Sequence, residues 1–291
     1  MERRGIMNIK LYESPGKFLR DNEAFFRQYE AATQLNQGNA MANRDRPCGP
    51  GLLFGRWEET GKPVLVFGRA APWNLCLNAS EEALPLGEKA AGALGRYLRE
   101  AGEELIGVTG REELCRAFLE GFGGEFTEKS AMDILVLRHL IEPQPVPGKV
   151  RKAREEDLET VTRWALAFYE EALHQHPDRE EVREKRRELI RRGTLWLMEP
   201  PGGEAASMAQ TSRQLAHGTA VSGVYTPPEH RGKGYAQNTV TAICRERLAA
   251  GMEYCTLFVD RRNPISNRVY RKIGFETLED CREYTLRSLP G

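Results

Sequence analysis

No apolar run in this sequence approaches the roughly 20 residues that a membrane-spanning helix needs. That argues against a helical span and a membrane partner. Net charge is absent as well: 42 Lys and Arg balance 42 Asp and Glu. With neither a global excess nor a charged tail, no nucleic-acid partner is expected. C-x-x-C pairs are missing among the six cysteines, Cys48, Cys76, Cys115, Cys244, Cys255 and Cys281. They read as reduced, mostly buried thiols of a cytoplasmic protein. Histidine is scarce, and His174 and His176 stand without a partner cluster, so no metal is expected. The stretch Met1 to Met7 lacks the apolar core of a signal peptide. Met7 is a candidate alternative start, with the first six residues expected to be disordered. Oligomeric state leaves no signal.

What is present is a basic, glycine-rich turn: Val224-Tyr225-Thr226-Pro227-Pro228-Glu229-His230-Arg231-Gly232-Lys233-Gly234-Tyr235-Ala236. It reads as a strand stopped by Pro-Pro, a turn, and the first turn of a helix. A helix N-terminus offers free N–H groups and partial positive charge. Glycines before it let the backbone close around an anion. Arg231 and Lys233 add formal charge at the same place. A phosphate or pyrophosphate is the expected ligand.

The 291 residues fit two domains. Glu142 to Lys149 carries three prolines at alternate positions and reads as a linker between domains 1–141 and 150–291. In the second, a helix from about Glu155 is followed by one capped at Asp178, with Glu181 three residues on. Strands are expected at Thr194 to Met198, about Glu204 to Thr211 and about His217 to Thr226. The helix after the turn ends at Gly251. Tyr254 to Asp260 reads as a central strand, apolar on both faces and parallel to a neighbour. A helix at Pro264 to Lys272 stops at Gly274-Phe275, before a last strand at Arg282 to Leu286.

The first half repeats this order more faintly. A helix near Pro15 to Glu30 precedes a hairpin turning at Glu59-Thr60-Gly61. Strand, helix, strand and helix then lead to Gly121-Phe122 and a strand at Asp133 to Leu137. An offset of about 150 residues suggests duplication of one α/β unit. Where the glycine turn belongs, the first half has Asn78-Ala79-Ser80-Glu81-Glu82-Ala83, and its two glutamates repel a phosphate.

Three signals stand in order in the second half. They are the R-x-x-G-x-A pattern of Arg231 to Ala236; Asn263, Ser266 and Tyr270 after the central strand; and Gly274-Phe275 beyond them. This set resembles the GNAT superfamily of acyl-CoA-dependent N-acyltransferases. The string from Tyr225 to Ala236 looks most like the branch related to glycine N-acyltransferases. The resemblance covers about Val150 to Leu286. The first half is similar only in element order, as in tandem GNAT proteins with one degenerate copy.

The resemblance implies an α/β (α+β) fold of two GNAT-like domains, each a mixed, partly splayed central sheet flanked by helices. It implies one acyl-CoA site, in the second domain. Val224, Tyr225 and Thr226 would line the pantetheine arm, with Gly223 leaving room and the Val224 N–H polarising the thioester carbonyl. Backbone N–H groups of Arg231, Gly232, Lys233, Gly234, Tyr235 and Ala236 would hold the pyrophosphate. Tyr270 would be the general acid for the leaving thiolate, and Ala117 takes its place in the first half. Asn263 and Ser266 would touch the cofactor or cap the helix. No carboxylate lies on the strand Ala216 to Thr226, so the base is unassigned; Glu170, Glu171 and His174 lie where the acceptor is expected. Cys255 reads as packing and Asp260 as a loop contact. The expected reaction is acetyl transfer from acetyl-CoA to a primary amine of a small molecule, with amino acids as candidates. A protein lysine or N-terminal acetyltransferase and a non-catalytic acyl-CoA sensor or scaffold are the alternatives.

Overall fold

The computed structural model describes residues 8–173 and 175–287. The candidate start at Met7, the six residues before it and His174 lie outside the described residues. The chain forms two compact units. The first takes residues up to Ile134, Asp260–Arg262 and the segment from Thr277 onward; the second takes Leu135–Val259 and Asn263–Glu276.

The first half of the chain runs β1 (Ile9–Leu11), α1 (Pro15–Asp21), α2 (Glu23–Gln28), α3 (Gln34–Ala42), β2 (Leu52–Glu59), β3 (Lys62–Ala70), β4 (Leu75–Ala79), α4 (Leu84–Glu100), β5 (Gly107–Gly110), α5 (Glu112–Phe122) and β6 (Glu125–Leu137). The second half runs β7 (Lys149–Lys152), α6 (Leu158–Leu173), α7 (Arg179–Arg191), β8 (Leu195–Glu199), β9 (Ser207–Gln214), β10 (Gly218–Tyr225), α8 (Tyr235–Ala249), β11 (Tyr254–Asp260), α9 (Pro264–Lys272) and β12 (Glu276–Arg287).

In the first unit the strand order is β1-β2-β3-β4-β5-β12-β6. β2 and β3 form the expected hairpin, turning at Thr60 and Gly61, both at positive φ. β4 and β5 are parallel but pair only at Leu75↔Val108 and Cys76↔Thr109, and β4 then runs on to Ala79. Adjacent residues of β3 face opposite sides. Phe67 joins Leu94, Leu114, Phe118 and Phe122 under α4 and α5, while Val66 joins Phe18, Phe26 and Phe54 under α1 to α3. The expected helix at Pro15 to Glu30 is two helices, because Asn22 turns its Nδ2 back to the Phe18 carbonyl at 2.8 Å. Gly121 does not end α5. It packs that helix on α4, where a Cβ would stand 2.0 Å from the Gly92 carbonyl oxygen.

In the second unit β11-β10-β9-β8-β7 follow in order. The last residues of β6 belong here too, and Thr256 Oγ1 of β11 donates to the Leu135 carbonyl at 2.8 Å. β11 is central and parallel to β10, as its apolar sequence requires. They pair at Gly218↔Tyr254, Thr219↔Cys255 and Ala220↔Thr256 and then part. Against β9, β10 shifts register between Ser222↔Gln210 and Tyr225↔Met208, so a bulge falls on Gly223 and Val224. Trp196, Val240, Ile243, Leu257 and Phe275 form one core cluster. Trp164, Val182, Leu197 and Met208 form another under α6 and α7. Asp178 caps α7 through the Glu181 N–H at 3.0 Å, as expected. Each unit is thus a mixed, partly splayed sheet flanked by helices.

The compact units do not part at the proline segment. β12 pairs antiparallel with β5, from Arg282↔Gly110 to Thr285↔Gly107, so the C-terminal strand completes the first unit's sheet. The backbone of β5 needs a ladder partner on that side, and the chain supplies it from its far end. Residues 142–149 lie inside the second unit. There the Glu142 carboxylate pairs with Arg245 at 2.5 Å, and the Gln144 carbonyl accepts from Asn238 Nδ2 at 3.4 Å.

Candidate active site

The glycine turn stands where β10 has left β11. Gly232 and Gly234 have φ of +77° and +79°, a region that a side chain penalises by about 1–2 kcal/mol. Gly234 is the N-cap of α8, and no side chain caps that helix. Among the described residues, the N–H groups from Gly232 through Gln237 donate to no carbonyl and no side chain. A run of unpaired N–H groups at a helix start is an anion site. The Arg231 N–H is not part of it, since it donates to the Pro228 carbonyl at 3.2 Å.

Arg231 is also committed through its side chain. Its Nε donates to the Thr226 carbonyl at 2.9 Å, its Nη2 pairs with Glu171 Oε2 at 2.5 Å, and it lies over the Tyr225 ring. The Tyr225 hydroxyl donates to the other oxygen of Glu171 at 2.8 Å. Sequence reading singled out these three residues but gave no sign of this triad, which closes across 60 residues of chain. Burial works to raise the Glu171 carboxyl, but hydrogen bonds from Arg231 and Tyr225 prevail and hold it below the ordinary range. Burial, then the bond to Glu171, push the Tyr225 phenol up to about 12. Glu171 therefore fastens α6 to the turn and is poorly suited to take a proton. Glu170 is exposed. Lys233 donates to the Glu229 carbonyl at 3.0 Å, which leaves its charge unpaired by any carboxylate among the described residues.

Of the strand residues, Gly223 has φ of +58° at the bulge, and a Cβ there would come within 3.1 Å of Gln210 Cδ. Val224 is half-buried beside the core, and Tyr225 is buried with its carbonyl accepting from Ser207 Oγ at 3.1 Å. Thr226 Oγ1 donates to Ser207 Oγ at 2.9 Å. Tyr235 and Ala236 open α8, both half-buried.

Tyr270 lies on α9, buried in the same cluster as Val221, Val240 and Leu257. Its ring meets Phe275 edge-on at 5.9 Å. Its phenol has no hydrogen-bond partner among the described residues, and burial raises its pKa, which keeps it protonated. Asn263 is the N-cap of α9, its Oδ1 accepting the Ser266 N–H at 3.0 Å. The capping role read from the sequence is therefore present for Asn263, while Ser266 takes part only through its backbone N–H. Cys255 is fully buried packing, and Asp260 accepts the Arg262 N–H at 2.8 Å in the loop that follows β11. None of the six cysteines is in a disulfide, and five are buried. No group of His, Cys, Asp or Glu among the described residues could hold a metal, and none of the described helices is long and apolar enough to cross a membrane.

Solved structures share this fold. A GCN5-related N-acetyltransferase from Sphaerobacter thermophilus shares 13% identity over 97% of this chain and 96% of its own, with a TM-score of 0.62. An acetyltransferase of the GNAT family from Colwellia psychrerythraea shares 12% over 97% and 100%, with a TM-score of 0.59. The fold is that of the GNAT acetyltransferases. A GCN5-related N-acetyltransferase from Kribbella flavida, 19% identical over 90% of this chain and 95% of its own, has a TM-score of 0.53. Residues 202–284 match the family model described as FR47-like protein. That segment runs from before β9 into β12 and includes the glycine turn, Asn263 and Tyr270. No curated protein sequence matches the chain.

Proposed function

We propose that the second unit is an N-acetyltransferase that moves an acetyl group from acetyl-CoA to a primary amine of a small molecule. Fold alone does not fix activity. The observation that carries the reading is the row of unpaired N–H groups from Gly232 to Gln237, set beside the splay of β10 from β11. These residues fit an acyl-CoA: the N–H row and Lys233 hold the pyrophosphate, while β10 offers Val224, Tyr225 and Thr226 to the pantetheine arm. Bound there, acetyl-CoA supplies a thioester open to direct attack by an amine. The Val224 N–H, on the bulge, would polarise the thioester carbonyl. Tyr270, kept protonated by burial, would give its proton to the departing thiolate; the proton shed by the amine as the amide forms passes to solvent, from which the phenolate is reprotonated. Asn263 and Ser266 fix the start of the helix that carries Tyr270 and flank the cofactor. Triad bonds from Arg231 and Tyr225 to Glu171 hold the turn in place. The first unit is read as a degenerate GNAT copy without a CoA site. With no carboxylate on β10, the amine enters in its neutral form, so kcat/KM climbs with pH up to the amine's own pKa.

The test is thiol release from acetyl-CoA with a panel of small amines and lysine-containing peptides. Transfer to small amines supports the reading. Transfer confined to peptides would move the assignment to a protein acetyltransferase. Tight acetyl-CoA binding with no transfer to any acceptor would leave a sensor or scaffold.

A further inference from the structure

Arg186 is the least expected side chain in the second unit. It projects from α7 one helical turn after Val182, on that helix's buried face, and is 6% exposed. A guanidinium stays charged in a protein, and a charge out of water is costly unless an opposite charge meets it. None does: Arg186 makes no ion pair among the described residues, and no carboxylate contributes to the field at its side chain. Nη1 donates to Gln210 Oε1 at 2.5 Å, and Nε is buried with no acceptor. One corner of the fork is thus held by a neutral amide, while the Nε–Nη2 edge is left over. That edge presents two parallel N–H groups, the geometry that pairs with both oxygens of a planar carboxylate.

Its position gives the edge a purpose. Gln210 stands opposite Ser222 in the β9–β10 ladder and donates to Ser222 Oγ at 3.3 Å. The same Gln210 side chain fills the space a Cβ would take at Gly223. Arg186 is therefore one side chain away from the bulge that carries Val224. In an α-amino acid the nitrogen is two bonds from the carboxyl carbon, so an acid group held by Arg186 keeps its amine close to that bulge.

We propose that Arg186 binds the carboxylate of the acceptor, and that the acceptor is an amino acid or a similarly compact amino-carboxylate. The proposal rests on the acetyltransferase reading for the amine's role and on Arg186 and Gln210 for the acid. Gln210 positions the guanidinium from β9. Arg186 is left without a protein counter-ion because the substrate brings one.

The experiment pairs amines that differ only in the acid: glycine with methylamine, leucine with 3-methylbutylamine, and phosphoethanolamine as the phosphate arm. Wild type is expected to prefer each amino acid by about 100-fold or more in kcat/KM, since leaving a buried polar partner unpaired is heavily penalised. Arg186→Met removes that preference by lowering kcat/KM for the amino acids. A structural arginine would lower the Tm of the ligand-free protein when replaced; here Arg186→Met leaves it unchanged or raised, because an unpaired buried charge has gone. Gln210→Glu, which gives the guanidinium a permanent carboxylate in the same place, raises the Tm and abolishes the preference as well. Calorimetry with N-acetylglycine alone, without CoA, gives a readout independent of turnover. Binding to wild type and loss in both variants supports the acid site even if no amine is acetylated, a result that would sink only the enzyme reading. Equal binding in all three proteins, no binding to wild type, equal turnover of both members of each pair, or preference for phosphoethanolamine over the amino acids would each overturn the proposal.

Discussion

The two units carry the same strand–turn–helix at the splay of their parallel strands and treat it in opposite ways. In the second, β10 bulges at Gly223 and leads into a turn whose N–H groups from Gly232 to Gln237 are unpaired. In the first, β4 leads into Glu81 and Glu82, and the Glu82 carboxylate is bound by the Tyr29 hydroxyl. The gap past Cys76 is stopped by α3 and the residues just before it. Asn36 Nδ2 donates to the Cys76 carbonyl at 3.3 Å and to Asn78 Oδ1 at 2.8 Å, and Asn78 Nδ2 reaches the Ala32 carbonyl at 3.1 Å. What remains between β4 and β5 is a cavity of about 10 Å³, room for roughly one water. Its wall includes Glu279, whose carboxyl is pushed up to about 7, first by burial, with Arg111 pulling it back down. One splay keeps donors open for an anion; the other consumes its backbone groups internally and holds an acid. A splay without an open anion site needs more than the absence of glycines, because its backbone must find partners within the protein.

That contrast can be broken in four places. Tyr270→Phe should lower kcat by roughly 100- to 10,000-fold with little change in acetyl-CoA affinity. Unchanged turnover with a true acceptor removes the acid role. Writing the first unit's charge into the second, as Gly232→Glu with Lys233→Glu, should weaken acetyl-CoA binding about 100-fold in calorimetry. Affinity within a factor of three would move the pyrophosphate elsewhere.

The third break is in the first unit. A folded-state pKa above the unfolded value means that Glu279 carries no penalty below about pH 4.5. Stability is lost as pH rises toward about 7, and the loss is complete above that. Glu279→Gln should therefore add about 2 kcal/mol to stability in denaturant titrations at pH 8, after a discount for its residual exposure, and almost nothing at pH 4. An equal gain at both pH values would show a packing effect instead. The smallest effect is expected from Glu171→Gln. It releases Arg231 toward the turn and should tighten acetyl-CoA about threefold; a tenfold loss would mean that the triad's ordering of the turn outweighs the freed charge.

Much of this was legible in the sequence, for local reasons. Positive-φ glycines, an Asn263 cap and a proline in the first turn of α9 are decided within a few residues, so the turn, α9 and the order of strands could be read directly. The apolar run Tyr254 to Val259 marked a central strand because both of its faces are covered. What could not be read depends on distant partners. A period-two pattern shows that residues 276–287 form a strand but not that β5 is its neighbour. Arg186 sits among twelve other residues of a charged helix, and only the packing of Val182's face reveals that this one arginine is inside. Arg231 read as an anion ligand because its tie to Glu171 on α6 leaves no local mark. The proline-rich stretch had the composition of a linker, yet Gln144 and Val146 are held against α8.

β12 completes the first unit's sheet, and Glu283 on it accepts from Asn74, 209 residues earlier in the chain. During synthesis, then, β5 has no neighbour on that side until Arg282 to Thr285 of β12 have been made. At roughly 5–20 residues per second this is a wait of about 10–30 s with a strand edge exposed. The first unit is made first and finished last. Its completion waits for β12, so a nascent chain that stops at Glu276 holds the second unit's residues without those of a whole first unit.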